Sequence, residues 1–306
     1  MYKRQGDRNG PPSHVKDGLP RQATYPVLAL SMPLDGIGIT SNILSGDSSL
    51  SVRFIYSPFL NISYTQPFKS KNGTKSSYIL VQMVEYENAT PPCSNHFSAM
   101  IHNSYMVVNG YDMPADRLGY KDPNTGLPQI KPSVEDKLAI INQTTFSSEW
   151  NKLAHSNFDY FVSYQAGLII PKGILHVSHL NDLNTKIPVG TLWSKGDKDT
   201  WGHTFLTGTR YTLPIKAATQ LGAEYIWGSK NAIATGFTDD QQIGFYRVVR
   251  GSGYHLYANQ NLSDSSTNFR FGYYFLHRTH SDMIHGEGQP TDEKIKNLYV
   301  AFKIRF

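Results

Sequence analysis

The chain has almost no cysteine and no long apolar run, and each absence narrows what it can be. Among its 306 residues only Cys93 carries a thiol, which excludes an intrachain disulfide and any site built from several cysteine ligands. No window approaches the roughly eighteen unbroken apolar residues that a membrane-crossing helix requires. That does not exclude a membrane protein: a barrel strand alternates lipid-facing and lumen-facing side chains, so its mean hydropathy stays low, as it is here. Clustered cations are missing too. The net charge is only +5, and Arg210, Arg247, Arg250, Arg270, Arg278 and Lys303 lie far apart, whereas a nucleic-acid surface gathers them on one element. Nucleic acid is therefore not an expected partner.

Catalytic signatures are absent as well. There is no Walker A loop, dinucleotide fingerprint, zinc-protease helix or G-x-S-x-G elbow. No catalytic residue or cofactor is assigned, and the expectation is a protein that is not an enzyme. An outer-membrane hydrolase stays as a lesser alternative, because Ser, His and acidic groups assemble in space rather than in sequence. His277, His280 and His285 lie near Asp282 and Glu287 in one polar stretch, a weak metal candidate because nothing there fixes ligand geometry. His176 and His179 fall on opposite faces of a strand and are poor co-ligands.

What is present is aromatic alternation. The chain holds 19 Tyr, 15 Phe and 4 Trp, and its last ten residues, NLYVAFKIRF, have a clean period of two. Leu298, Val300, Phe302, Ile304 and Phe306 share one face; Asn297, Tyr299, Lys303 and Arg305 share the other with Ala301. One greasy and one charged face suit a sandwich core or a barrel with lipid outside and water inside. The final Phe resembles the C-terminal signal by which the insertion machinery recognises bacterial outer-membrane barrels.

Similar strands are expected at Leu50–Tyr56, Ser77–Glu87, Phe97–Asn109, Phe158–Ala166, ILHVSHL from Ile174, Trp201–Tyr211, Thr219–Trp227, Gln242–Asn261 and Phe269–Phe275, with a hairpin over residues 24–44 and a further strand at Asn61–Gln66. Between Gly110 and Asn157 the alternation fails. There SVEDKLAIINQTTFSSEWNKLAHS starts like a helix, with Ser133 as N-cap and Glu135 and Asp136 in the first turn, so a long loop with a small helical insertion is expected. Counted back from Phe306, the connections run long (277–295), short (262–267), long (228–241), short (212–216), long (181–200), short (167–172) and long (110–157). Strict alternation is the pattern of an outer-membrane barrel, with short periplasmic turns and long outer loops. A Greek-key sandwich has no reason to show it.

Several stretches together resemble the domain of unknown function family numbered 3373, bacterial envelope proteins described as outer-membrane porins. They are GPPSHVKDGLPRQATYP and LDGI within the first forty residues, GHTFLTGTRY from Gly202, LGAEYIWGSKN from Leu221, QIGFYRVVRGSGYHLYANQNL up to Leu262, and the closing strand. The resemblance implies a location and an architecture; it carries no ligand or catalytic residues. Family members look longer at the amino end. Met1–Gln5 reads like a translated sequencing adapter, so residues 1–23 are taken as adapter-derived residues and polar loop, and residues 24–306 as the C-terminal part of a barrel of about a dozen strands with a long loop at 110–157.

Charge then follows phase. If Phe269, Phe271, Tyr273 and Phe275 face lipid, Arg270 faces the lumen, and so do Arg210, Glu224, Lys303 and Arg305. These residues either satisfy one another in a wet interior or form a cationic wall that favours anions. Tyr211, Trp201, Tyr225, Trp227 and Tyr254, near strand ends, suit interfacial girdles. The expected function is porin-like passive diffusion of small solutes, with the loop at 110–157 folding inward as a constriction. Expected partners are outer-membrane lipids, the insertion machinery, small solutes and a possible homo-oligomer. A surface binding or adhesion barrel with a plugged lumen, and a secreted soluble β protein, are the alternatives. The membrane reading needs Phe269, Phe275, Phe302 and Ile304 not to lie beneath a second packed layer.

Overall fold

The computed structural model of the chain describes residues 36–44, 47–59, 77–89, 91–109, 130–134, 137–172, 175–179, 182–190, 198–215, 219–233, 250–261, 267–280 and 290–304. In chain order the strands are β1 (Ile37–Leu44), β2 (Ser48–Phe59), β3 (Ser77–Asn88), β4 (His96–Asn109), β5 (Ile130–Val134), β6 (Lys137–Asn151) and β7 (Phe158–Pro171). They continue as β8 (Leu175–His179), β9 (Asp182–Gly190), β10 (Thr200–Thr212), β11 (Gln220–Gly228), β12 (Gly251–Asn261), β13 (Thr267–His280) and β14 (Pro290–Ile304). One 3-10 turn, Leu153–His155, is the only helical piece among the described residues.

Eleven strands form one antiparallel sheet in the order β1-β2-β3-β4-β6-β7-β10-β11-β12-β13-β14. Each wall strand pairs with the next wall strand along the chain, which is the meander of an up-and-down barrel. Among the described residues β1 and β14 are not paired with each other, so the wall is open there. Nine of the eleven run eleven to fifteen residues, enough to meet the ~9–11 that a tilted strand needs to cross a bilayer.

Period two decides which side chains meet. The register places Phe161, Gly208, Glu224, His255, Tyr274 and Asn297 in one inner row, strand by strand. That face is buried: Phe161, Leu206, Ile226, Tyr274 and Leu276 form its largest apolar cluster, with Ile295 and Tyr299 packed against it. Many of its neighbours are polar, including Ser147, Ser163, Gln165, Thr204 and Glu224. The opposite face exposes Phe54, Leu80, Ile101, Phe146, Leu256, Phe271 and Phe302, and no second layer of described residues covers it. This is the reverse of a soluble sandwich, which buries its greasy face.

The links alternate strictly. Those at 45–47, 89–95, 152–157, 213–219 and 262–266 hold at most seven residues; those at 60–76, 110–136, 172–199, 229–250 and 281–289 hold at least nine. Two expectations about them need correction. The expected long loop with a helical insertion at 110–157 contains β6, a full wall strand between β4 and β7. Helix-like signals misled there because β6 has polar residues on both faces, Asn142 and Thr144 outward and Gln143, Thr145 and Glu149 inward, so its alternation in hydropathy is faint. Conversely, the expected strand ILHVSHL is not in the wall. As β8 it joins β5 and β9 in a small separate sheet. The small sheet ties the two longest links together at the end of the wall where all long links emerge. The expected pieces at residues 24–32, 61–66 and 242–249 lie outside the described residues.

Candidate functional site

The inner face is the candidate site, and its polar groups are arranged as cross-strand pairs. On β7 and β10, Asp159 opposes Arg210, whose Nε donates to Asp159 Oδ2 at 2.7 Å. The backbone amide of Lys152 donates to the other carboxylate oxygen at 2.8 Å, and Glu149 lies 4.0 Å from the guanidinium. On β11 and β12, Glu224 opposes His255 at 3.2 Å from Nδ1, while His255 Nε2 is 3.0 Å from the Tyr299 hydroxyl. The imidazole stacks on Tyr274 with centroids 4.1 Å apart, and Tyr274 stacks on Tyr299 at 5.0 Å. Arg270 Nε donates to Asn259 Oδ1 at 2.9 Å.

Inner glycines make room for aromatic rings on the next strand. Phe161 lies over Gly208, Tyr257 over Gly222 and Tyr299 over Gly272, in each case leaving no space for a Cβ. Two other inner glycines are covered by a link instead. From the end of β11 the chain turns back across the wall: the carbonyl of Asn231 sits over Gly202 on β10, and Ile233 sits over Gly167 on β7. Ala232, Ile233 and Arg250 are buried. Ser229 fixes the departure, its amide donating to the His203 carbonyl and its Oγ accepting from the His203 amide, both at 2.9 Å. Arg250, at the far end of the same link, donates from Nε to the Ala232 carbonyl at 3.3 Å, and its own carbonyl accepts from the Thr279 amide at 2.9 Å. Among the described residues segment 229–233 folds over the inner face, and residues 110–129 of the expected constriction lie outside the described residues.

The charged residues expected on this face are placed as follows. Arg210 and Glu224 are on the inner side, 11% and 1% exposed at the side chain, and Arg270 is half-buried beside Asn259. Lys303 stands at a strand position opposite Asn268, and Arg305 lies outside the described residues. On the outer face Leu298, Val300 and Phe302 are 63%, 55% and 67% exposed. Ile304 pairs with Thr267 in the ladder, and Phe306 is outside the described residues. Phe269 meets Phe302 edge-on at 4.9 Å, and Phe269 and Phe275 are half-buried.

Aromatic side chains gather in two belts. Near the short links, Tyr86, Phe97, Trp150 and Tyr160 follow one another at 5.2–6.2 Å, with Phe158 and Tyr211 continuing the row. Near the long links stand Trp201, Tyr164, Tyr225, Trp227 and Tyr254, all exposed. On β10, Trp201 and Tyr211 are ten positions apart. At ~3.3 Å per residue and a tilt of ~40° the belts are separated by about 25 Å, the height of an apolar barrel band.

Of the weak metal candidate, His277 Nε2 is 2.7 Å from Asp292 Oδ1 and His280 Nδ1 is 3.1 Å from Thr279 Oγ1, while Asp282, His285 and Glu287 lie outside the described residues. No group of metal-ligating side chains occurs among the described residues. Asp292 and the exposed Lys294 and Lys296 lie at the long-link end of β14, beyond the apolar band. The hydrogen bond from His277, and then the charge of Lys294, hold the Asp292 carboxyl below the usual carboxylate range. The Glu224–His255–Tyr299 array and the 229–233 segment carry no local sequence signal; a strand-pairing register was the missing information.

No curated protein matches the chain in sequence. Among solved structures, the chain is similar to the Pseudomonas putida toluene transporter TodX at 10% sequence identity and a TM-score of 0.31, with 90% of this chain and 84% of that chain covered. The family DUF3373, described as a protein of unknown function, matches residues 106–304, which takes in every wall strand from β6 to β14. With most of its length matched, the chain belongs to the DUF3373 family.

Proposed function

We propose that the chain forms the wall of a bacterial outer-membrane β-barrel that lets small solutes diffuse across passively. The single observation that carries this reading is the reversal of faces: apolar side chains are exposed all round the outer surface, while Arg, Glu, His and Ser line the inside. A charged group facing hydrocarbon at mid-depth costs ~2–4 kcal/mol, so eleven strands agreeing in phase have a physical cause in lipid and none in water. The two aromatic belts and the alternating links support the same orientation, with short turns in the periplasm. The role needs no catalysis, cofactor or nucleotide.

Charge preference is the finer point. Glu85, Glu149, Asp159 and Glu224 share the inner face with Arg53, Arg210, Arg270 and Arg278. Balanced signs support mutual satisfaction in a wet interior over an anion-attracting wall. The segment 229–233, seated on the inner glycines, favours a second reading in which the lumen is narrowed or plugged and the outer loops bind a partner.

Full-length protein produced in a Gram-negative host tests both. It should sediment with the outer membrane, migrate faster on gels when unheated, and conduct ions in planar bilayers with weak sign selectivity. A stably inserted barrel that passes no current transfers the function to the plugged reading. Recovery in the aqueous phase without detergent would falsify the membrane assignment itself.

A further inference from the structure

Among the described residues the outer face carries one polar island built on carboxamides. At mid-height of β3, β4 and β6, Gln82, Asn103 and Asn142 stand with Thr144, on a face whose other mid-height polar groups are hydroxyls such as those of Thr207 and Thr209 on β10. The register sets them together: Gln82 opposes Asn103, Asn103 opposes Thr144, and Asn142 opposes Tyr105 one outward step along β4. Asn103 Nδ2 donates to Asn142 Oδ1 and to Thr144 Oγ1, both at 2.8 Å. Gln82 is exposed and makes no hydrogen bond among the described residues.

Apolar side chains fence the island along every strand. Leu80 and Val84 flank it on β3, Ile101 and Tyr105 on β4, and Ile140 and Phe146 on β6. It is therefore not an extension of either wet rim. Hydrocarbon offers an amide no hydrogen-bond partner, and leaving donors and acceptors against acyl chains is costly. Water is not available at that depth on the outside of a barrel. Another protein surface is.

The chemistry of the island selects which surface. It has no charge, so a charged partner gains nothing from it. Carboxamides and hydroxyls each carry a donor and an acceptor, so the patch complements itself when turned about a two-fold axis. On the basis of the membrane-barrel reading above, we infer that the face centred on Asn103 is where a second copy of this chain docks within the membrane.

The test uses the protein with Cys93→Ser, which removes the only cysteine of these 306 residues, and with any cysteine outside them likewise changed to Ser. Asn103→Cys is introduced, or Leu256→Cys on the exposed side of β12 as the control, and outer membranes are treated with a short bismaleimide. The expected result is a covalent band at twice the monomer mass for N103C and none for L256C. In a second measurement, Gln82→Leu with Asn103→Leu should abolish the dimer on native gels while the heat-dependent gel shift persists. Equal cross-linking at both positions, none at N103C, a conjugate of any other mass, or a dimer that survives the double substitution overturns the docking face while leaving the barrel reading intact. Protein missing from the outer-membrane fraction overturns that reading and this inference with it.

Discussion

Arg210 on β10 and Asp159 on β7 are register partners on the inner side of the wall, joined from Nε to Oδ2 at 2.7 Å. With a backbone amide on the other carboxylate oxygen and Glu149 nearby, the guanidinium is committed to stitching the wall at its short-link end.

Removing one member of that pair leaves opposite charge poorly solvated. Arg210→Ala is expected to lower stability by about 2–3 kcal/mol, with Asp159 and Glu149 left facing each other. Arg210→Met combined with Asp159→Leu should recover much of the loss, since an apolar pair of similar volume needs no counter-charge. Urea unfolding in lipid vesicles reads both; a double variant no more stable than R210A rules out the ion pair as the cause.

On the outer face, charge should matter within the apolar band and little beyond it. Leu256→Arg, on the exposed face of β12, is expected to cost ~2–4 kcal/mol when the protein folds into vesicles. Lys294→Ala, on the same face of β14 but beyond the apolar band, should change stability by less than ~0.5 kcal/mol. Comparable small effects at both sites would mean that the outer face meets water throughout.

Segment 229–233 should control the passage. Ile233→Gly withdraws the side chain that sits over Gly167, and Gly202→Val fills the notch that holds the Asn231 carbonyl. Either change is expected to raise single-channel conductance with the barrel still heat-modifiable on gels. Unchanged conductance in both variants would show that the narrowing lies elsewhere.

At the rim, Asp292 offers a pH signature. Its carboxyl titrates below the usual range because it accepts from His277. A depressed value in the folded protein means that the contact stabilises fully above the ordinary carboxylate range, and that this contribution fades as pH falls through the lowered value. Carbon-13 NMR titration should find the depressed value in the native protein and a rise toward normal in His277→Gln. No rise would assign the shift to Lys294 instead.

Much of the wall was legible because a strand announces itself locally. Phe269 to Phe275 alternate with Arg270, Gly272 and Tyr274, and Leu298 to Phe302 with Tyr299 and Ala301, and the ladder of β13 and β14 places them as their spacing implies. β6 was lost where the inward row turned to Gln143, Thr145, Ser147 and Glu149 while Asn142 and Thr144 stood outward, so no contrast was left to read. β8 shows the converse: His176, Val177 and Ser178 have an ordinary strand signature but pair with β5 and β9 in the links.

The sequence by itself determined that alternate residues differ in polarity and that long and short links take turns, because both are properties of neighbouring residues along the chain. Only the tertiary structure decided which face turns inward, that His255 stands between Glu224 and Tyr299, and that Ile233 seats over Gly167. Those relations join positions 31 to 66 residues apart through the register of successive strands, and register is a property of the assembled ladder that no single strand contains.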